Sequence, residues 1–347
     1  MPTHNGRRKI LVRETNWLGD VILSLPFLDA LREKNPDAHI SILARPHVAA
    51  LLQHHPAVDK IILVDDRGLH AGLGMFNLAG DLRGLNADVA YLLPNSFSSA
   101  WLMWLARVPE RIGFATDGRS ALLSRAIKKT ARLRAVHEVR LYLRLLDIEP
   151  DESAPLPHPR LKLQDSEKEK AKEQLGALGI DRGRPIVGMV PGAVYGTAKR
   201  WPPERFAALA ERLSEEREAH VLLFGAASEK DVAERIERRA PKAALSNLAG
   251  KTRLRDLAAL MAACRVLVTN DTGGMHVAAA VGTPVVAIFG STNPMTTSPV
   301  GDEHVLIRHP VDCSPCLLRH CPIDHRCMTA IEIDEVFEAV CGKIAQA

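Results

Sequence analysis

The stretch from Arg265 to Gly290 constrains the fold more than any other part of the chain. It holds an apolar run at Val266–Val268, a polar turn through Asp271 and Thr272, a small-residue segment from Gly273 to Val281, and a second apolar run at Val285–Phe289. Short β-branched runs on either side of one helix's length of chain spell a strand–helix–strand unit. The polar turn then lies at the carboxyl end of a parallel strand, where open α/β sheets bind ligands and where the first amides of the next helix accept an anion. Asp271 offers acceptors to hydroxyl groups, Thr272, Gly273 and Gly274 let a phosphate approach the backbone, and His276 follows one turn later. Singly, Asp271 reads as a helix N-cap, the glycines as turn residues and His276 as a surface histidine. Crowded into six positions, they read as a site for a phosphorylated, hydroxyl-rich ligand.

A chain of 347 residues suits two domains of ordinary size, and 46% apolar with 25% charged residues places it among globular proteins. Around Glu149–Arg160 four prolines fall within ten residues, which marks a linker and divides the chain into domains 1–160 and 161–347. The first begins as strand, turn and helix: Lys9–Arg13, then Glu14–Gly19, then Asp20–Leu31 with Pro26 expected to kink it. By helix-start statistics Asp20 is the N-cap of that helix. Strands at His39–Leu43, Lys60–Val64 and Val89–Leu93 alternate with helical patterns near His47–His54 and Phe76–Arg83, which predicts a parallel sheet covered on both faces.

The second domain repeats the alternation. A helix at Ser166–Leu178 precedes a strand at Pro185–Val190, and helices at Pro203–Arg217, Glu229–Arg239 and Leu254–Ala263 surround a strand at His220–Phe224. The final helix is expected to pack back on the first domain. Two α/β halves joined by a proline-rich link put a cleft between them. At the mouth of the second half, Pro191–Pro202 is a glycine-bearing loop in which Lys199 can neutralise a diphosphate and Thr197 can donate to its oxygens. It lacks the P-loop spacing of glycine before Lys-Ser/Thr. The loop Phe224–Glu229 ends another strand on the same edge, and three such loops suit a nucleotide-sugar.

The net charge of +4 belongs to the first domain, where residues 1–160 carry 21 basic against 17 acidic side chains. Within Arg107–Arg144 ten basic residues face three acidic ones, which reads as a patch for an anionic partner or as a solvated basic face. Nucleic acid is excluded as that partner, because the patch lacks interleaved aromatics and no nucleic-acid motif accompanies it. The apolar run Ala100–Leu105, with two of the four tryptophans, precedes the patch and reads as core or as a membrane-interface contact. No run of about 18 apolar residues exists, and the N-terminus shows no secretory apolar core, so a cytoplasmic protein is expected.

Asn16-Trp-Leu-Gly-Asp20, Pro191-Gly-Ala followed by Lys199-Arg-Trp-Pro, Asn270-Asp-Thr-Gly-Gly-Met-His276 and Phe289-Gly-Ser-Thr-Asn-Pro294, in this order, resemble the ADP-heptose:lipopolysaccharide heptosyltransferases of glycosyltransferase family 9. The resemblance runs over nearly the whole chain. It implies two Rossmann-like domains facing across a cleft (the GT-B arrangement), with ADP-heptose bound by the second and a lipopolysaccharide inner-core acceptor by the first. It implies a general base at Asp20 and a donor diphosphate among Lys199, Thr272, Gly273 and His276. Asp271 would meet the sugar, Thr252 and Leu254 would line the adenine pocket, and Glu229 would join the donor contacts. Arg13, Asn16 and Arg119 are the acceptor-side choices. The implied enzyme is monomeric, needs no cofactor for catalysis, and transfers heptose to the first heptose of the core at the cytoplasmic face of the inner membrane; the alternatives are a family member that glycosylates another core sugar (heptosyltransferase I or III) and a nucleotide-sugar epimerase of similar build.

One cluster stands apart. Cys313, Cys316, Cys321 and Cys327 fall within fifteen residues as C-x2-C-x4-C-x5-C, with His320 and His325 among them. Four thiolates could hold a structural zinc or an iron–sulfur cluster, but the spacing matches no standard finger, and free thiols in a loop are the other reading.

Overall fold

The computed structural model describes residues 6–64, 72–181 and 183–346. Two compact units meet inside the proline-rich segment, Met1–Pro157 and His158–Ala347. In the first, the strands β1 (Lys9–Arg13), β2 (His39–Ala44), β3 (Lys60–Leu63), β4 (Val89–Leu92), β5 (Glu110–Phe114) and β6 (Arg125–Ile127) form one sheet in the order β3-β2-β1-β4-β5-β6. In the second, β7 (Ile186–Val190), β8 (His220–Leu223), β9 (Leu245–Asn247), β10 (Val266–Asn270), β11 (Val285–Ile288) and β12 (Val305–Ile307) form a sheet in the order β12-β11-β10-β7-β8-β9. Every pairing in both sheets is parallel. Each unit is thus a doubly wound α/β sheet, as expected. The strand order reverses between β1 and β4 in one unit and between β7 and β10 in the other. At such a reversal neighbouring crossovers leave in opposite directions and open a crevice beyond the strand ends.

Among the described residues, the helices of the first unit are α1 (Leu18–Lys34), α2 (Pro46–Leu52), α3 (Gly72–Gly84), α4 (Phe97–Leu105), α5 (Ala131–Ala135) and α6 (Glu138–Leu143). Those of the second are α7 (Asp165–Ala177), α8 (Pro203–Arg217), α9 (Lys230–Arg239), α10 (Leu254–Ala262), α11 (Gly273–Ala280), α12 (Pro294–Thr297), α13 (Arg326–Thr329) and α14 (Ile333–Ala345). They cover the sheets, which is why β4, β7, β10 and β11 are buried at every residue and read as continuous apolar runs with no alternation. Helix α8 shows how sequence becomes packing. Pro203 opens it without losing a needed hydrogen bond, and Phe206, Leu209, Ala210 and Leu213 at helical spacing are buried on the sheet. Phe206 meets the buried Trp201 edge to face at 5.0 Å, so Phe206→Ala would cost about 3–5 kcal/mol. Helix α14 packs within the second unit, on α8, β10 and β11, with Arg212 over the Phe337 ring at 3.8 Å.

The basic stretch differs from its reading as a patch. It contains β5 and β6, which apolar patterning did not reveal because arginines and small residues interrupt both. Its guanidiniums serve the backbone: Arg111 donates to Leu122 O at 2.7 Å, Arg125 to Leu145 O at 2.7 Å, and Arg140 to Ala154 O. Much of the positive charge therefore satisfies loop carbonyls that no strand partner reaches.

Candidate functional site

The second unit concentrates chemistry at the carboxyl edge of its sheet, around the reversal between β7 and β10. Asn270, the last residue of β10, is fully buried and staples the two loops there: its Oδ1 accepts from Trp201 N at 2.9 Å and its Nδ2 donates to Pro191 O at 2.7 Å. The next residue, Asp271, is not the helix cap that its position suggested. Thr272 is the N-cap of α11, without a side-chain cap bond, and the Asp271 carboxylate turns toward the loop after β7. There its Oδ2 meets Lys199 Nζ at 2.6 Å and accepts from Thr292 Oγ1 at 2.6 Å. The two charged side chains are 15% and 7% exposed, so their attraction acts in a partly dry setting where it is worth more than at the surface. Lys199 also lies over the Tyr195 ring, 5.0 Å from its centroid.

Thr272 and Gly273 stay half-exposed while Gly274, Met275 and His276 are buried, so the helix presents its first amides outward. Gly274 packs closely here, since a Cβ would press to 3.2 Å against the Val190 side chain at the end of β7. Thr197 is exposed and paired with His320 Nδ1 at 3.0 Å. Asn270 and Thr292 are the residues that sequence reasoning missed. Both lie in quoted motifs, yet nothing in their spacing says which loop they bond.

A second group gathers after β8. Glu229 is 7% exposed; its Oε2 accepts from Ala226 N at 2.9 Å, while its Oε1 is buried with no hydrogen-bond partner. A carboxylate oxygen out of water and unpaired costs free energy unless a donor arrives. Gly192, after β7, lies so close that any Cβ there would overlap this oxygen. Gly250 N donates to Gly225 O at 2.9 Å and ties the loop after β9 to the same place. Thr252 and Leu254, both half-buried, follow at the entry to α10. Lys199, Asp271, Thr272, Gly273 and Glu229 therefore share one sheet edge.

In the first unit, the loop after β1 carries Asp20 into the opening turn of α1. The cap of that helix is Trp17, so Asp20 is an interior first-turn residue and not the N-cap expected. Its charge acts on Lys129, whose ammonium is lowered chiefly by burial, and on Tyr142, whose hydroxyl is raised by burial first and then by Asp20, Glu138 and Glu14. Glu14 is fully buried and is pushed up to about 7 by that burial, against bonds from Thr15 N at 2.7 Å and from the Thr15 and Ser24 hydroxyls at 3.2 Å. Sequence reading had left it in a turn.

Arg13 and Arg119, expected to grip an acceptor, are 2% and 0% exposed. Arg13 donates to Leu43 O at 3.3 Å and to Asn16 Oδ1 at 2.8 Å; Arg119 donates to Phe114 O at 2.9 Å and to Ser99 Oγ at 2.9 Å. Burial brings each guanidinium down to about 10. Both sit where strands end and loop carbonyls lack partners, so they brace the edge and do not open onto it. Asn16 belongs to that brace, and His47 Nε2 lies 2.9 Å from its carbonyl.

The four-thiolate metal site is not assembled. Among the described residues no group of three or more His, Cys, Asp or Glu side chains is placed to hold a metal ion. The Cys327 thiol is raised by its burial and then by Cys313, Cys316 and Cys321, so the four are neighbours, but Cys313 is exposed and Cys327 is buried against Gly290.

The family model described as glycosyltransferase family 9 (heptosyltransferase) matches residues 75–326. The chain is 34% identical over 313 residues to lipooligosaccharide heptosyltransferase 2 of Haemophilus influenzae, spanning 86% of this chain and 88% of that protein. It is 34% identical over 312 residues to lipopolysaccharide heptosyltransferase 2 of Escherichia coli, with the same coverage. The solved E. coli ADP-heptose LPS heptosyltransferase II superposes with a TM-score of 0.80 at 31% identity, over 97% of this chain and 99% of that one. Family membership decides for a transferase over the epimerase alternative. With its two doubly wound sheets, the chain belongs to glycosyltransferase family 9, the heptosyltransferases, and is a glycosyltransferase of the GT-B type.

Proposed function

We propose that the chain transfers L-glycero-D-manno-heptose from ADP-heptose, with inversion at the anomeric carbon, to the first heptose of a lipopolysaccharide inner core. The observation that carries this reading is the partly buried Lys199–Asp271 pair next to the half-exposed Thr272 and Gly273 that open α11. These groups suit a donor whose diphosphate gains charge as it leaves and whose sugar offers hydroxyls. The unpaired Glu229 oxygen suits the ribose of ADP, and Thr252 with Leu254 suits its base.

In this reaction the acceptor hydroxyl oxygen attacks the anomeric carbon while Asp20 takes its proton, and the bond from that carbon to the diphosphate oxygen breaks. ADP departs with the bonding electrons. Lys199 and the Thr272–Gly273 amides face the new charge where it appears. His276, buried in the first turn of α11, completes the donor residues that the family resemblance implies. On the acceptor side Lys129, electrostatically linked to Asp20, is the cation for an acceptor phosphate, the role that the buried arginines do not fill. The decisive assay supplies ADP-heptose with acceptors carrying no heptose, one or two, and measures ADP release. Turnover confined to the one-heptose acceptor is expected; preference for either other acceptor would refute the assignment.

The same reading places the enzyme against the cytoplasmic face of the inner membrane. No helix among the described residues is long and apolar enough to cross a membrane, and the contact proposed is a peripheral one. Leu73, Phe76, Phe97 and Trp104 on α3 and α4 are 83%, 52%, 44% and 50% exposed, with Trp101 between Phe76 and Phe97 at 6.2 and 6.5 Å. Exposed Arg83, which bonds Leu105 O at 2.8 Å, and Arg107 adjoin this apolar face and match an anionic bilayer. Flotation with anionic vesicles should retain the wild type and lose Phe76→Ser/Trp104→Ser; equal flotation of both would remove this face from the membrane.

A further inference from the structure

The cysteine-rich segment between β12 and α13 was left without a role by the metal reading, yet it is tied to both loops of the donor site. Leu317 N donates to Ser291 O at 2.8 Å, beside Thr292. Tyr195 Oη donates to Leu317 O at 2.9 Å, Ala198 N to Arg319 O at 3.0 Å, and His325 Nε2 lies 3.0 Å from Ala198 O. Gly196 leaves no room for a Cβ against the Arg319 carbonyl. The segment is therefore a strap seated directly on the loop that carries Lys199.

One side chain of the strap points this contact toward chemistry. The Arg319 guanidinium lies over the Tyr195 ring, 5.2 Å from its centroid, and Lys199 Nζ lies 5.0 Å from the same centroid. The two positive charges are thus no more than about 10 Å apart. Among the described residues, Lys199 is neutralised by Asp271, whereas Arg319 forms no ion pair with any carboxylate. Each phosphate of a nucleotide-sugar diphosphate is anionic, so a site holding only the Lys199–Asp271 pair and two helix amides is short of positive charge. We infer that Arg319 is the second cation of the donor-diphosphate site, held over Tyr195 by the strap. This rests on the donor reading above and adds a residue outside the motifs that suggested it. Its planar fork can hold two phosphate oxygens in one bidentate pair, a fixed geometry that the compact Lys199 ammonium does not impose.

Calorimetric titration of ADP and AMP into wild type, Arg319→Gln and Arg319→Lys tests the inference. Arg319→Gln should weaken ADP about 2- to 5-fold, the range for one exposed charge pair, and AMP by clearly less. Arg319→Lys should recover part of the ADP affinity, and melting temperatures should stay within about 2 °C of wild type because Arg319 is exposed. Unchanged ADP affinity in Arg319→Gln, or equal losses for ADP and AMP, would overturn the role; the second result would mean that Arg319 only shapes the loop. A wild type that binds neither nucleotide would overturn the donor reading and this inference with it.

Discussion

Replacing Lys199 by Met keeps the stem and removes the charge, which leaves Asp271 buried beside Thr292 alone. At the observed 2.6 Å the Coulomb attraction of the pair is about 6 kcal/mol for an effective dielectric near 20. Desolvation of both groups offsets most of this. The 15% exposure of Lys199 and the retained Thr292 bond reduce the damage further, so Lys199→Met should destabilise the second unit by about 2–3 kcal/mol. Asp271→Asn should cost less, about 1 kcal/mol, because Asn still accepts from Thr292 and the ammonium keeps some water. The double variant should then be more stable than the sum of its parts by about 1.5–2.5 kcal/mol. Urea unfolding of the ligand-free proteins, followed by tryptophan fluorescence with Trp201 buried beside the site, completes the cycle. A coupling energy below about 0.5 kcal/mol would show that the pair does not form in solution and would withdraw the electrostatic basis of the donor site.

Asp20→Asn should lower turnover by about 10²- to 10⁴-fold with little change in ADP affinity, since the amide cannot take a proton; retention of more than about a tenth of wild-type turnover at saturating substrates would refute the base assignment. Glu14 has a folded value near 7, above its ordinary 4.5, so the stability it contributes is full below about 4.5 and is lost as pH rises through 7. Glu14→Gln should therefore stabilise the protein at pH 8 and not at pH 4, by an order of magnitude of 1–3 kcal/mol in denaturant titrations; equal effects at both pH values would count against a neutral Glu14. Gly192→Ala should drive its methyl into the Glu229 carboxylate and weaken ADP binding at least about 10-fold, whereas wild-type affinity would show that Glu229 is free to move away.

Much of the architecture was legible because its causes are local. The apolar runs at Val266 and Val285, the small-residue helix between them and the repeated strand–helix alternation fix a parallel sheet through side-chain periodicity and burial on both faces. The same locality misled the reading of single residues. Asp20 and Asp271 both precede helical patterns and both looked like caps, but the caps are Trp17 and Thr272. Arg13 and Arg119 looked like acceptor grips because charge is visible in sequence and burial is not.

The sequence by itself determined the two α/β halves, the loops that end their strands and the residue types at the donor edge. Only the tertiary structure decided which of those residues meet. Lys199 and Asp271 lie 72 residues apart, and the Tyr195 hydroxyl bonds a carbonyl 122 residues away, because strand order brings β7 beside β10 and the strap after β12 crosses back over the β7 loop. Periodicity and turn chemistry act over a few residues, whereas a salt bridge or a shared aromatic face depends on how distant segments cross, and that is set by the packing of the whole unit.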